Sequence, residues 1–274
     1  MPRRASDRSR IFIDSELEQT PYENQQHTVS IDYPLAVSAY EISRTQYAEF
    51  VRARNYESRG CVTYEENVWR LRKKRNWRDP GFSQSDTNPV TCVSWYDARQ
   101  YAHWLSKTTG KHYRLLSSSE WEYMARADTR TARYWGNSPD RACDFANVAD
   151  GSAERIYPGW RVHPCRDGHI HTAPVTAFKP NAFGVYGALG NVFEWVEDCW
   201  NDSYRSAPLN GSAWTQGNCQ QRVLRGGSWF SQPAYVRAAY RNRFKADTRS
   251  STFGIRVARD LEMLPQLSNE RKTQ

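Results

Sequence analysis

The sequence predicts an α+β domain, rich in loops and poor in regular secondary structure. Three observations carry that reading. The first half holds three amphipathic runs, each opened by a serine with Gln, Asp or Glu three residues later. The second half holds only short strand-like runs, and glycines stand there among large aromatic residues. Capped helices followed by short strands suit helices lying against a small twisted sheet.

In chain order, HTVSIDYPLAVSAYEIS after Gln26 alternates apolar and polar residues, the period of strands. Ser43 with Gln46 has capping-box spacing and starts a helix with Tyr47, Phe50 and Val51 as its inner stripe, ending at Arg54 or Asn55. Residues 56–90 read as a long charged and aromatic loop without periodicity. A second helix starts at Ser94, with Asp97 in the reciprocal position. It turns Ala98, Tyr101, Ala102 and Leu105 inward and stops at Gly110. Ser117 with Glu120 caps a third, whose Trp121, Met124 and Ala125 pack inside. Beyond it, the stretch 181–259 organises the rest. Its strand-like runs, 222–224, 235–240 and 255–258, are short, and Gly184, Gly187, Gly190, Gly226, Gly227 and Gly254 stand among aromatics such as Trp195 and Trp229. Such glycines mark positive-φ turns or close backbone approach.

The chain of 274 residues can bury a sizeable core, and 11 Trp, 16 Tyr and 10 Phe against only 39% hydrophobic residues make that core one of few, large, partly polar side chains. Residues 26–261 are expected to form a single domain, between a basic tail at 1–25 and a polar tail at 262–274. The net charge is +8, with the densest basic run, RLRKKRNWR, at 70–78. Solvated loops commonly carry such charge, and no nucleic-acid partner is expected. No stretch is apolar enough to cross a bilayer, and the first twenty residues lack the apolar core of a signal peptide. The six cysteines fall into three neighbouring couples across irregular loops, 61 with 92, 143 with 165 and 199 with 219, in no zinc-site spacing. Three sequential disulfides are expected, and with them a periplasmic or secreted location. The alternative is six reduced thiols in a cytoplasmic protein.

The runs NAFGVYGALGNVFEWVEDCW, RGGSW and FGIRVAR, preceded in order by PVTCVSWYDARQYAHWLSKTTGKHYRLLSSSEWEYMARA, resemble the formylglycine-generating enzyme (sulfatase-modifying factor) family over roughly residues 26–261. The resemblance implies that family's variant of the C-type lectin fold. It also implies two calcium sites. One maps onto the side chains of Asn147 and Asp167 with the carbonyls of Val148 and His169, an oxygen set that a hard cation selects. The other maps onto Gly187, Gly190, Val192 and Glu194, where Gly187 replaces the family's Asn or Asp and Glu194 remains the anchor. For both, the alternative is a metal-free turn in which Asn and Asp cap backbone N–H groups.

The family's enzymes carry two copper-binding cysteines just after RGGSW. The first position matches Ser231 here, and no cysteine follows Cys219. Without a thiolate pair no copper is expected, and formylglycine synthesis is not the expected activity. His163, His169 and His171 lie near Cys165 at spacings too loose to argue a transition-metal site. There is no nucleophile elbow or phosphate loop. The GNVFEW turn and RGGSW should frame a cleft lined by Phe193, Ser231, Tyr235, Arg237 and Arg241, suited to a peptide or an anionic group but without a proton-transfer group. The expected function is thus a monomeric binding or regulatory protein acting on a protein or peptide ligand. The alternatives are a thiol-independent oxidoreductase resembling the pyoverdine-chromophore tailoring enzyme and, third, a diversified ligand-binding protein of the retroelement type.

Overall fold

The computed structural model of the chain describes residues 9–12, 20–23 and 26–261. The first strand, β1 (Ser9–Phe12), pairs antiparallel with β2 (Thr28–Ile31). After β3 (Leu35–Val37) comes α1 (Arg44–Arg54), closed at its start by the reciprocal Ser43–Gln46 capping box and at its end by Asn55 in the left-handed conformation. A hairpin follows, β4 (Cys61–Glu65) and β5 (Val68–Arg72). Next are α2 (Trp95–Thr109), capped by Ser94 with Asp97 and stopped by Gly110, then β6 (Tyr113–Leu115) and α3 (Ser118–Arg126), capped by Ser117 with Glu120. One turn of helix, α4 (Gly151–Glu154), interrupts a long irregular segment. The C-terminal part supplies β7 (Phe193–Trp200), β8 (Asn218–Arg225), β9 (Arg241–Lys245), β10 (Phe253–Gly254) and β11 (Val257–Asp260).

The main sheet has the order β10-β7-β8-β9, and a second has the order β3-β11-β6. The three capping boxes stand where the serines place them, because each satisfies helix N–H groups with local side chains. This is the mixed α+β, C-type-lectin-like architecture that the sequence resemblance implies.

Three expectations need correction. The 56–90 loop contains the β4–β5 hairpin, whose two-residue turn uses Glu66 and Asn67 at φ 56° and 57°. Sequence reading passed over it because the usual Asn-Gly or Asp-Gly signal is missing. Residues 235–240 are no strand: a 3₁₀ turn runs over Pro233–Tyr235, and Pro233 has no N–H for a ladder. Nor is the N-terminal segment simply a tail, since 9–12 pair in β1 and a 3₁₀ turn over Pro21–Glu23 buries Glu23. The rest of 1–25 and the expected tail 262–274 lie outside the described residues.

All six cysteines form the expected pairs, Cys61–Cys92, Cys143–Cys165 and Cys199–Cys219, a pattern that belongs to oxidising environments. Among the described residues no helix is long and apolar enough to cross a membrane. The interior holds Trp121, Trp195 and Trp229 together with four completely buried arginines, Arg133, Arg225, Arg237 and Arg256. Arg225 meets Glu122, which also pairs with Arg126. Arg237 grips Glu23 through two bonds, of 2.7 and 3.1 Å. Burying a guanidinium is tolerable only when its donors find a carboxylate and carbonyls.

Removing one partner of such a pair leaves the other buried and uncompensated. Arg237→Ala is expected to destabilise the protein by about 3–5 kcal/mol, measured by chemical denaturation. A loss below about 1 kcal/mol would mean that the Glu23 segment is not anchored as described.

Candidate functional site

A cavity of about 510 Å³ opens where the β4–β5 hairpin, the loop carrying Trp160 and Arg161, the start of β7, the turn after β8, and the segment before β11 meet. The turn is set by Gly226 and Gly227, at φ 97° and 80°. A Cβ on Gly226 would lie 3.0 Å from the Trp121 ring, and one on Gly227 would lie 3.1 Å from the Tyr235 carbonyl, so both positions are closed to other residues. Behind them Ser231 folds back on Ser228: its Oγ accepts from the Ser228 N–H at 2.9 Å, and its own N–H donates to the Ser228 carbonyl at 2.8 Å. Trp229 points inward and donates its indole N–H to the Ser251 carbonyl.

Two groups of rings wall the cavity. In one, Phe230 stands edge-on to Trp69 at 4.8 Å and to Trp160 at 4.3 Å. In the other, Tyr235 stacks on Tyr240 at 4.9 Å, Tyr240 approaches Phe193, and Phe253 touches Phe193 and Phe244. Among the described residues the two groups make no ring contact with each other, so the space between them is bounded by π faces and edges on both sides. Ser228, Ser231, Asn242, Ser250 and Thr252 add hydroxyl and amide groups, and among the described residues the lining holds no Cys, His, Asp or Glu.

Of the five residues expected to line a cleft, Phe193, Ser231 and Tyr235 do so. Arg237 and Arg241 do not. Arg237 is fully buried against Glu23, and Arg241 lies between the rings of Trp200 and Tyr204 while donating to the Tyr22 and Asn201 carbonyls. Both side chains leave the cavity because the N-terminal segment supplies acceptors that the local sequence does not reveal. Conversely, Trp69, Trp160 and Phe230 were missed as site residues. Their one sequence signal is that Trp69 and Trp160 lie within the loops that disulfides 61–92 and 143–165 close.

The first expected calcium set gathers around Asp167. Its carboxylate accepts the N–H groups of His169 and Val148 at 2.7 and 2.9 Å, and its own N–H donates to Asp150, which caps α4. Burial, reinforced by the neighbouring Asp150, pushes the Asp167 carboxyl up to about 7. Asn147 donates to the His171 carbonyl and to Asn191, but its Oδ1 is buried without a hydrogen-bond partner. Asp150 and Asp167 also offer carboxylate oxygens within 4.8 Å of each other, beside the Cys143 sulfur that the disulfide consumes. Two close carboxylates and an orphan amide oxygen fit a hard cation.

The second set does not fit. Glu194 accepts Arg256 Nε at 2.8 Å and Trp121 Nε1 at 2.6 Å, and the Gly187 carbonyl accepts Arg256 Nη2 at 3.3 Å. Gly190 and Val192 lie buried in the same turn. A guanidinium therefore already meets the anchor carboxylate and one expected carbonyl. Glu41 fills the space left by Gly187, where a Cβ would lie 2.5 Å from its carboxylate. Glu41 Oε1 accepts from Asn191 at 2.9 Å, while Oε2 is buried without a partner. Burial pushes this carboxyl up to about 8, against the pull of Arg256.

The histidines do not converge on a metal. His171 stacks on Phe82 at 4.2 Å and shares a 2.9 Å hydrogen bond with Tyr157, and Cys165 is in a disulfide. With every cysteine paired and Ser231 in its turn, the residues present do not fit copper held by thiolates either.

A profile of the sulfatase-modifying factor enzyme 1-like domain matches residues 8–261. The formylglycine-generating enzyme of Streptomyces coelicolor is 34% identical over 198 residues, 69% of this chain and 59% of its own length. That of Thermomonospora curvata is 32% identical over 270 residues, covering 83% of this chain and 82% of the relative. The solved structure of PvdO from Pseudomonas aeruginosa superposes with a TM-score of 0.77 at 33% identity, over 90% of this chain and 88% of that one. The chain spans about three fifths of the Streptomyces enzyme.

Glu41 gives a pH signature. Its folded pKa lies above its unfolded value, so its contribution to stability is fully present below the ordinary carboxylate range and is lost as pH rises through about 8. Glu41→Gln, which cannot ionise, should therefore gain on the unaltered protein as pH is raised from about 5 to 8. Melting curves across that range check it, and a constant difference between the two proteins would rule the assignment out.

Proposed function

The chain belongs to the sulfatase-modifying factor enzyme 1-like domain family, and from that premise we propose that it is a member without the catalytic cysteine pair that recognises the aromatic part of a peptide or peptide-like ligand. The observation that carries this reading is the cavity itself. Its volume of about 510 Å³ is that of a side chain or small-molecule site, and Trp69, Trp160, Phe230, Tyr235 and Tyr240 supply rings on two sides. Aromatic pairs add roughly 0.5–1.5 kcal/mol each beyond the burial of their area, so a flat ring entering between the two groups gains on both faces. The half-buried amide of Asn242 on the lining is placed to orient the polar part of such a ligand.

Acid–base catalysis in the cavity finds no support. Among the described residues the lining has no group that exchanges a proton near neutral pH. Ser231, which matches the first of the family's copper-binding cysteines, has its hydroxyl held within the Ser228 turn. The three disulfides support a periplasmic or secreted setting. As the structural counterpart of this role, calcium would sit at the Asp167 loop, held by Asn147, Asp167 and nearby carbonyls, and would compensate the buried Asp150 and half-buried Asp167 carboxylates.

Calorimetric titration with short peptides containing Trp or Tyr, against their Ala counterparts, tests the pocket. Only the aromatic peptides should bind, and Tyr235→Ala, at a half-exposed position, should weaken them about tenfold without lowering the melting temperature. Oxygen uptake with turnover of a bound ring would overturn the binding reading in favour of a thiol-independent oxidoreductase. Chelation should lower the melting temperature by on the order of 5 °C, and Asp167→Asn should remove that response. An unchanged melting temperature on chelation would make the loop a metal-free turn.

A further inference from the structure

We infer that the pocket selects ligands in which the planar ring carries an anionic group, with Arg161 as the residue that reads the charge. This deepens the proposed aromatic recognition and rests on it. Among the described residues that line the cavity, Arg161 is the only charged one. It follows Trp160, one of the ring-bearing wall residues, so its guanidinium is attached beside the surface on which a ring would lie. The residue is exposed, and among the described residues it makes no ion pair and no hydrogen bond. Other arginines of the chain make a contrast. Arg75, Arg114, Arg225, Arg237, Arg249 and Arg256 all hold carboxylates of this chain. Arg161 is left with five donors and an apolar, aromatic cavity beside it.

The surroundings point the same way. Among the described residues no Asp or Glu lines the pocket, so an ammonium or guanidinium on a ligand would face Arg161 without a counter-charge from them. Exposed Arg70, Lys73 and Lys74 lie on and just beyond the hairpin that carries Trp69, and exposed Lys245 follows the lining residue Phe244. The chain as a whole carries a net charge of +8, and a positive protein raises the local concentration of anions and their rate of arrival. A guanidinium fork matches a carboxylate in two parallel hydrogen bonds, and a charged bond at the edge of an apolar cavity is stronger than one in open water. The ligand class is therefore a planar aromatic acid, free or as part of a peptide-like molecule.

Three probes of one shape separate this inference from the reading beneath it: indole-3-acetate, indole-3-acetamide and tryptamine, titrated calorimetrically at low salt. The acid should bind about tenfold more tightly than the amide, and the amine most weakly. Added salt should narrow the gap between acid and amide. Arg161→Gln, at an exposed position that the fold does not use, should bring acid and amide within about twofold of each other, chiefly by weakening the acid. Equal binding of acid and amide to the unaltered protein, or a preference that survives Arg161→Gln, would overturn the role of Arg161 and leave aromatic recognition standing. Binding of none of the three would remove aromatic recognition itself and this inference with it.

Discussion

Arg256 holds the centre of this molecule together. Its Nε donates to Glu194 at the start of β7, Nη1 to the Ser38 carbonyl after β3, and Nη2 to the Tyr186 carbonyl in the glycine-rich turn. Three segments distant in sequence meet on one planar group, itself wholly buried. A fold with short strands cannot fix such segments by ladders alone, and a guanidinium with five donors in a rigid fork can serve several loops at once. The cost of burying the charge is offset only because each donor is met, so the arrangement tolerates little displacement.

The same device recurs. Arg225 joins Glu122 of α3 to the carbonyls of Ala239 and Tyr240, just before β9, and Arg237 joins the N-terminal Glu23 to the 3₁₀ turn after the Gly-Gly motif. Indole N–H groups do similar work: Trp95 donates to the Val196 carbonyl and Trp195 to that of Val93, which fastens the start of α2 to β7. Large side chains with polar tips thus add to the aliphatic packing that fixes the interior. The pocket depends on that rigidity, since its walls come from loops, and a loop wall recognises a ligand only where a scaffold fixes it.

The disulfides extend the scaffold to the two loops that carry Trp69 and Trp160. Cys61 opens the hairpin and is tied to Cys92 just before α2, and the 143–165 pair closes the segment that leads from α4 past Trp160. A covalent closure limits the conformations open to a loop that has little core of its own. One wall of the cavity is thus covalently tethered, whereas the other, with Tyr235, Tyr240 and Phe253, is held by the buried arginines and the main sheet.

The amino-acid sequence by itself determined what is local. Ser43, Ser117 and Gly110 mark helix ends because a cap is decided by residues three or four apart. The cysteine couples were legible because their loops are short in sequence, and the aromatic residues beside Gly226 and Gly227 placed one side of the cavity near Phe193, Ser231 and Tyr235. The sequence could not decide partnerships between distant residues. Arg237 and Arg241 looked like ligand-binding charges until Glu23 and the Tyr22 carbonyl, more than two hundred residues away along the chain, turned out to take their donors. Arg161, unremarkable in sequence, keeps its charge free because among the described residues no carboxylate folds against it. A side chain's availability depends on every group that packs around it, and only the tertiary structure brings those groups together.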